Sequence, residues 1–374
     1  MANRLAFASH AATINGKQYD GIGNSLKETM PDILDEYIYV RHSIDGLIAS
    51  EVQTYKNSEI DSTVDLRVVR RPGPIRYISE VISTVRYFSQ HPVDVFIGID
   101  PLNALAGVIL KRRKKIKKVV FYTPDYSPSK FSNWMLNWVY HTIDRYCVKY
   151  ADEVWSVSQK IVDIRKNMGL DDQKNKFLPN VPPLKYQKYS SIKKDKYQLI
   201  TTGIIDTQMD FSGIIKAVAL LRDKYPDISL VVVGNGPAEE GLKDLAVDEG
   251  VADAVHFVGR KTLPETLKLV SESGIGLALY TGEWAFNEYG DSTKCREYGS
   301  YGLPILSTKH HATVQEIIDS GAGVIVKQDV DDYVRAITLI LEDYDSMSDK
   351  SRLWAKKNAG AHARLIDAAL KSMA

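Results

Sequence analysis

The chain has 374 residues, 44% of them hydrophobic and 25% charged, with 48 Lys and Arg against 47 Asp and Glu. That composition excludes disordered, fibrous and coiled-coil classes, and a net charge of +1 excludes a nucleic-acid binder that works by bulk charge. The two cysteines, Cys147 and Cys295, lie too far apart in sequence to suggest a disulfide framework or a metal-ligand cluster, the pattern of a reducing cytoplasm.

The first twenty residues show no apolar segment followed by a small-residue cleavage site, so no signal peptide is expected. In chain order, strands are predicted at Leu5–Ala8, Tyr37–Val40, Val64–Val69, Val93–Ile99, Lys118–Thr123 and Glu153–Val157, with helices at Ile75–Gln90 and Phe131–Tyr150. The apolar stretch Val93–Leu110 is broken by Asp94, Asp100 and Pro101, too interrupted to span a bilayer. Lys111–Lys118 holds seven cations in eight residues. It reads either as a solvated helix end or as a peripheral contact with an anionic membrane, which would place a cytoplasmic protein at the inner face of the membrane. Trp134 and Trp138 share one helical stripe and are expected in core packing.

Leu178-Pro-Asn-Val-Pro-Pro-Leu184 and the polar run after it read as a stiff crossing between domains. The charge balance changes there: residues 1–184 hold 25 Lys and Arg against 20 Asp and Glu, residues 185–374 hold 23 against 27. Beyond it, strands are predicted at Gln198–Thr202, Ser229–Val233, Val255–Val258, Gly274–Tyr280, Pro304–Ser307 and Gly323–Val326. Helices fall at about 211–225, 238–249, 263–272, 292–301, 312–319 and 330–343. This alternation predicts an α/β protein of two Rossmann-like parallel-sheet domains facing across a cleft, with ligands at the C-terminal ends of the strands.

Two segments carry chemistry. In Leu230-Val-Val-Val-Gly-Asn-Gly-Pro237 a buried strand enters a glycine turn ahead of a helix. Gly234, Asn235 and Gly236 allow close approach to a ligand, or make a tight turn with none. A dinucleotide fingerprint fits poorly, because the next strand ends in Phe257-Val-Gly-Arg260 with no acid for a ribose hydroxyl. Gly21-Ile-Gly23 is a weaker glycine signal. In the second segment, Asp291 or Ser292 is the N-cap of a helix through Thr293, and Gly302-Leu-Pro304 stops it. Lys294 and Glu297 share a face of that helix. There the lysine would meet an anion and the carboxylate a diol; the alternative is an exposed salt-bridged pair.

The order Gly234-Asn-Gly-Pro237, Val255-His-Phe-Val-Gly259, Ile275–Tyr280, Glu297, Gly302-Leu-Pro304 and Gly321-Ala-Gly323 resembles the donor domain of GT-B glycosyltransferases, most of all the retaining enzymes of glycosyltransferase family 4. Asp20-Gly-Ile-Gly-Asn24, Val119–Asp125 and Ala151–Ser158 are similar to that family's acceptor half. The resemblance implies a GT-B fold, with an acceptor domain at 1–184, a nucleotide-sugar donor domain at 185–350 and helices from about 351 to 374 crossing back. It implies transfer from a nucleotide-diphosphate sugar to a glycan, lipid-linked or small-molecule acceptor, with no metal and no other cofactor. Glu297 would hold the donor ribose, Arg260 would lie beside the base, and Gly234–Gly236 would flank the nucleotide.

Residues 203–213 lack the Arg and Lys usual in that family, and Tyr289 stands where an earlier Glu is usual. Some relatives carry a Lys three residues before the retained Glu, as Lys294 stands here. The diphosphate is therefore assigned to Lys294 and to the backbone N–H groups at the helix start, Asp291, Ser292, Thr293 and Lys294, with Arg296 a lesser helper on another face. Pro124-Asp125 replaces a His-Asp pair. Asp125 is a base for an inverting reaction or only a capped turn, and retention needs no protein base. His10, Gly21, Gly23, Arg70 and Arg71 are the expected acceptor residues. The rival readings are a non-catalytic partner subunit and a nucleotide-sugar 2-epimerase.

Overall fold

The computed structural model describes residues 4–14, 17–69, 73–187, 194–283 and 285–373. Arg70 and Arg71 therefore lie outside the described residues. The chain divides into two compact units, Met1–Pro179 with Gly360–Ala374, and Asn180–Ala359.

The first unit contains β1 (Leu5–Ile14), β2 (Lys17–Tyr19), α1 (Gly21–Thr29), β3 (Glu36–Ser43), β4 (Glu51–Lys56), β5 (Glu59–Asp65) and α2 (Pro74–Gln90). There follow β6 (Val95–Ile99), α3 (Pro101–Arg112), β7 (Lys118–Thr123), α4 (Trp134–Tyr150), β8 (Glu153–Ser156), α5 (Gln159–Asn167) and β9 (Asn175–Phe177). Its sheet runs β5-β4-β3-β1-β6-β7-β8-β9, with β2 paired to β1. The strands from β3 to β9 in that order are parallel. Every residue of β6 and β7 is buried, as strands covered on both faces require.

The edge departs from expectation. Residues 51–65 form an antiparallel hairpin on β3 in place of a strand at Val64–Val69. Its turn is Asn57-Ser58, both in the left-handed region (φ 50° and 71°), the geometry that matches strand twist in a two-residue loop. β5 is exposed along its length and carries Glu59, Asp61 and Asp65, charges that discourage edge pairing.

The helix faces bring a second correction. Asn133 caps α4 by accepting from the N–H groups of Met135 and Leu136. Trp134 and Trp138, expected in the core, are 79% and 60% exposed.

The second unit contains β10 (Asp195–Thr202), α6 (Phe211–Leu221), β11 (Ser229–Val233), α7 (Glu239–Asp248), β12 (Val255–Phe257), α8 (Leu263–Glu272) and β13 (Ser273–Ala278). It continues with α9 (Thr293–Ser300), β14 (Ile305–Thr308), α10 (Val314–Ser320), β15 (Gly323–Val326), α11 (Val330–Glu342) and α12 (Tyr344–Lys357). All six strands are parallel in the order β12-β11-β10-β13-β14-β15. One face is packed by Ile214, Val218, Leu242 and Ile337, the other by Leu267, Tyr298, Ile317 and Trp354. Connections leave β10 in one direction and β13 in the other, so a crevice opens at their C-terminal ends.

α12 stays with this unit, because the Ser348 and Ser351 hydroxyls donate to the carbonyls of Gly302 and Leu303, each at 2.7 Å. Only α13 (Ala361–Lys371) belongs to the first unit, where the His362 ring lies 3.2 Å from the Tyr122 hydroxyl. The return segment thus starts at Gly360, where about 351 was expected.

Candidate active site

The glycine turn lies at the mouth of the β10–β13 crevice. The Ile205 N–H donates to the Asn235 carbonyl at 3.1 Å and the Gly234 N–H to the Gly259 carbonyl at 3.0 Å. A Cβ on Gly234, at φ +150°, would overlap the Gly203 carbonyl oxygen, and one on Gly236 would overlap that of Ile205. The glycines are thus required first for two backbone segments to lie against each other. Gly234→Ala is expected to cost about 2–5 kcal/mol by overpacking and strain. Gly241, where a Cβ meets nothing within 4 Å, should gain about 0.5–1 kcal/mol on change to Ala as a helix residue. Urea unfolding of the two variants checks the contrast, and equal behaviour would refute it.

α9 starts at the same mouth. Ser292 is its cap, accepting from the Cys295 N–H at 3.4 Å, and its hydroxyl meets that of Tyr280 at 3.0 Å. The N–H groups of Thr293 and Lys294, the first two of the helix, have no acceptor among the described residues. Asp291, assigned to the donor, is otherwise engaged: its carboxylate accepts from Arg296, from Thr313 Oγ1 at 2.8 Å and from the Asn180 N–H at 2.6 Å. Arg296 is buried and also donates to both oxygens of Glu316, at 2.7 and 2.8 Å, with its guanidinium over the Trp354 ring. These two residues hold the start of α9 to α10 and α12.

Lys294 points the other way, toward the crevice. Its Nζ is 3.5 Å from Met209 Sδ and 4.9 Å from the Tyr280 ring centroid, and faces the backbone at Gly203. Glu297, one turn on, makes no hydrogen bond or ion pair with any described residue, so the pair is not a salt bridge. Both side chains are half-buried. Burial pushes the Glu297 carboxyl up to about 7, only partly opposed by Lys294. Burial likewise lowers the Lys294 ammonium to about 8, against the fields of Cys295, Glu297 and Asp206. A cation and a carboxylate with no oppositely charged partner in ion-pair contact among the described residues, at a switch point, form a ligand site in waiting. Arg260 stands exposed in the loop after β12.

In the first unit the C-terminal ends of β1, β6 and β7 collect polar groups. His10 Nδ1 donates to Asp100 at 2.6 Å and Nε2 to Glu80 at 3.1 Å. Burial alone would lower this imidazole, but the two carboxylates carry it up to about 10, so it is a fixed cation. Asp100, itself at φ 76°, caps α3. Asp125 pairs with Lys130 at 2.5 Å and caps no helix, since Asn133 has that part for α4. Gly21 opens α1, and Gly23 is buried over Asp20, which accepts its N–H at 2.7 Å.

His10, Asp100, Asp125 and Lys130 line a cavity of about 720 Å³ walled by α2 and α4. The sequence reading missed Glu80, Asp100 and Lys130. Asp100 had a signal, being an acid at the end of a buried strand just before a helix-opening proline. The cations of 111–118 lie at the other end of α3, away from this cavity. Lys111, Lys117 and Lys118 pair with Asp152, Asp94 and Glu153, and Arg112 lies over Tyr146 and Tyr150. Most of the run is thus engaged within the protein. Among the described residues no helix is long and apolar enough to cross a membrane.

Comparison with known proteins places the second unit. Residues 185–360 match the family Glycosyl transferases group 1. An uncharacterized glycosyltransferase of Haemophilus influenzae is 28% identical over 169 residues, 44% of this chain and 46% of that protein. A GDP-mannose-dependent alpha-(1-6)-phosphatidylinositol monomannoside mannosyltransferase of Mycolicibacterium smegmatis is 27% identical over 152 residues, 39% of either chain. The chain thus spans less than half the length of these relatives. Among solved structures, Anabaena HepE in complex with UDP superposes with a TM-score of 0.69 at 13% identity, over 100% of this chain and 99% of that one. WaaG, a glycosyltransferase of lipopolysaccharide biosynthesis, gives 0.64 at 16% identity, over 97% and 98%.

Proposed function

We propose, from the premise that this is a GT-B chain whose second unit belongs to the glycosyl transferases group 1, that it moves a hexose from a nucleotide-diphosphate sugar to an acceptor hydroxyl. The second unit binds the donor and the first the acceptor. Retention of configuration, as in family 4, a place in polysaccharide or glycoconjugate assembly, and independence of any resident cofactor are parts of the same proposal. The observation that carries it is that Lys294 and Glu297, at the β10–β13 crevice, make no ion pair with each other or with any described residue.

Each group has a task that its surroundings leave open. The diphosphate takes the Lys294 ammonium and the two free N–H groups of α9, and its charge draws that lysine back to full protonation. Glu297 accepts from the ribose diol as a carboxylate. In a retaining reaction the departing phosphate takes the acceptor proton, so Asp125 orients the acceptor without acting as base.

The test is calorimetric titration with UDP-glucose and GDP-mannose, the donor chemistries attached to the relatives. Glu297→Ala should weaken binding about 10- to 150-fold, the loss of hydrogen bonds to a charged group. Because the free carboxyl titrates near 7, affinity should rise with pH through that value. Glu297→Gln should remove the rise. A titratable group raised from 4.5 to about 7 on folding binds more protons in the native state, so wild-type stability falls as pH rises across that interval. Glu297→Gln should therefore also stabilise the protein above pH 7, by about 1–3 kcal/mol. Binding of neither nucleotide sugar would favour the partner-subunit reading.

A further inference from the structure

We infer that the acceptor is an amphiphile with a neutral hydroxylated head at His10, Asp100 and Asp125 and a hydrocarbon tail lying between α2 and α4. This rests on the glycosyl-transfer reading and names its second substrate. The charged groups lining the cavity of about 720 Å³ are His10, Asp20, Asp100, Asp125 and Lys130 on its strand-end side, and the helix walls add the tyrosines Tyr77 and Tyr140. Its cations are already matched there, His10 by Asp100 and Glu80, Lys130 by Asp125. The floor therefore offers carboxylates as hydrogen-bond acceptors, which suits sugar hydroxyls and repels an anionic head.

The walls have the opposite character. Ile78, Ile82, Leu136, Val139 and Ile143 line them. This apolar surface reaches solvent: Ile78 and Ile82 on α2 are 59% and 60% exposed, and Leu136 and Val139 on α4 are 41% exposed each. A water-soluble sugar acceptor would leave that apolar surface wet, at about 25 cal/mol for each Å². A flexible hydrocarbon fills a concave slot between two helices and takes that apolar surface out of water.

The experiment compares methyl β-glucoside with octyl β-glucoside, below its micellar concentration, in calorimetric titrations of the full chain. The same sugar head then differs only in seven methylenes. One octyl chain should bind per protein, at least a hundredfold tighter than the methyl compound. Ile82→Asp and Val139→Asp, both at partly exposed wall positions, should each remove most of that gain while UDP binding and melting temperature stay as in wild type. Equal affinity for the two glucosides would overturn the inference, as would octyl binding that survives both variants. A protein dimer dissolved by the same substitutions would also overturn it, since a second copy would then be what covers this face. If UDP fails to bind wild type while the octyl chain binds as described, the donor reading falls and the amphiphile site stands.

Discussion

Arg296→Met is expected to destabilise the second unit by about 3–5 kcal/mol, the cost of breaking a buried ion pair from one side. The guanidinium is 1% exposed and lies between Asp291 and Glu316. Removing it leaves the Asp291 carboxylate buried with only Thr313 and the Asn180 N–H. A loss of that size is a large fraction of the stability of an ordinary domain. The substitution keeps the apolar stem over Trp354, so the loss reads charge rather than volume. Adding Asp291→Asn should restore part of the stability, because the stranded charge disappears. Denaturant unfolding followed by circular dichroism measures both. A single-mutant loss under 1 kcal/mol, or no recovery in the double mutant, would show that the network does not hold α9.

The second large effect is on turnover. Lys294→Met should lower kcat about 100- to 1,000-fold, the scale for removing one preorganised charge from a transition state. The same variant should fold at least as well as wild type. Burial lowers this ammonium from 10.5 to about 8, so the charged form is costly to the native state, and wild-type stability should rise as pH climbs across that interval. A variant that is stable but slow assigns Lys294 to the departing diphosphate. One that keeps kcat and raises only KM would limit the lysine to ground-state binding. Initial rates with the donor found by titration, together with melting curves from pH 7 to 10, separate these outcomes.

The two effects divide one helix. Lys294 and Arg296 are two residues apart and leave α9 on different faces. One meets the crevice and the other is spent on Asp291 and Glu316. The sequence reading saw this divergence from spacing alone. It also placed Asp291 with the donor, and that could not be corrected locally. The partners of Asp291 include Thr313 and Asn180, 22 and 111 residues away. His10 is a similar case: the carboxylates that make it a cation come from positions 70 and 90 residues along the chain.

By itself, the sequence determined the order of strands and helices in the second unit as far as α11, and that Lys294 and Glu297 share a helix face. Continuous β-branched runs, caps and a 3.6-residue period are local properties, and no distant contact alters them. Tertiary structure alone decided what each face meets. The stripe of Trp134 and Trp138 is evident from spacing, yet its 79% and 60% exposure depends on what packs against α4. Lys294 and Glu297 could have neutralised each other, and their half-buried separation was settled by the meeting of β10, β13 and α9. Charge and apolar area are written into the chain. Their desolvation is set by neighbours brought from far along it, and that desolvation turns a spacing into a site.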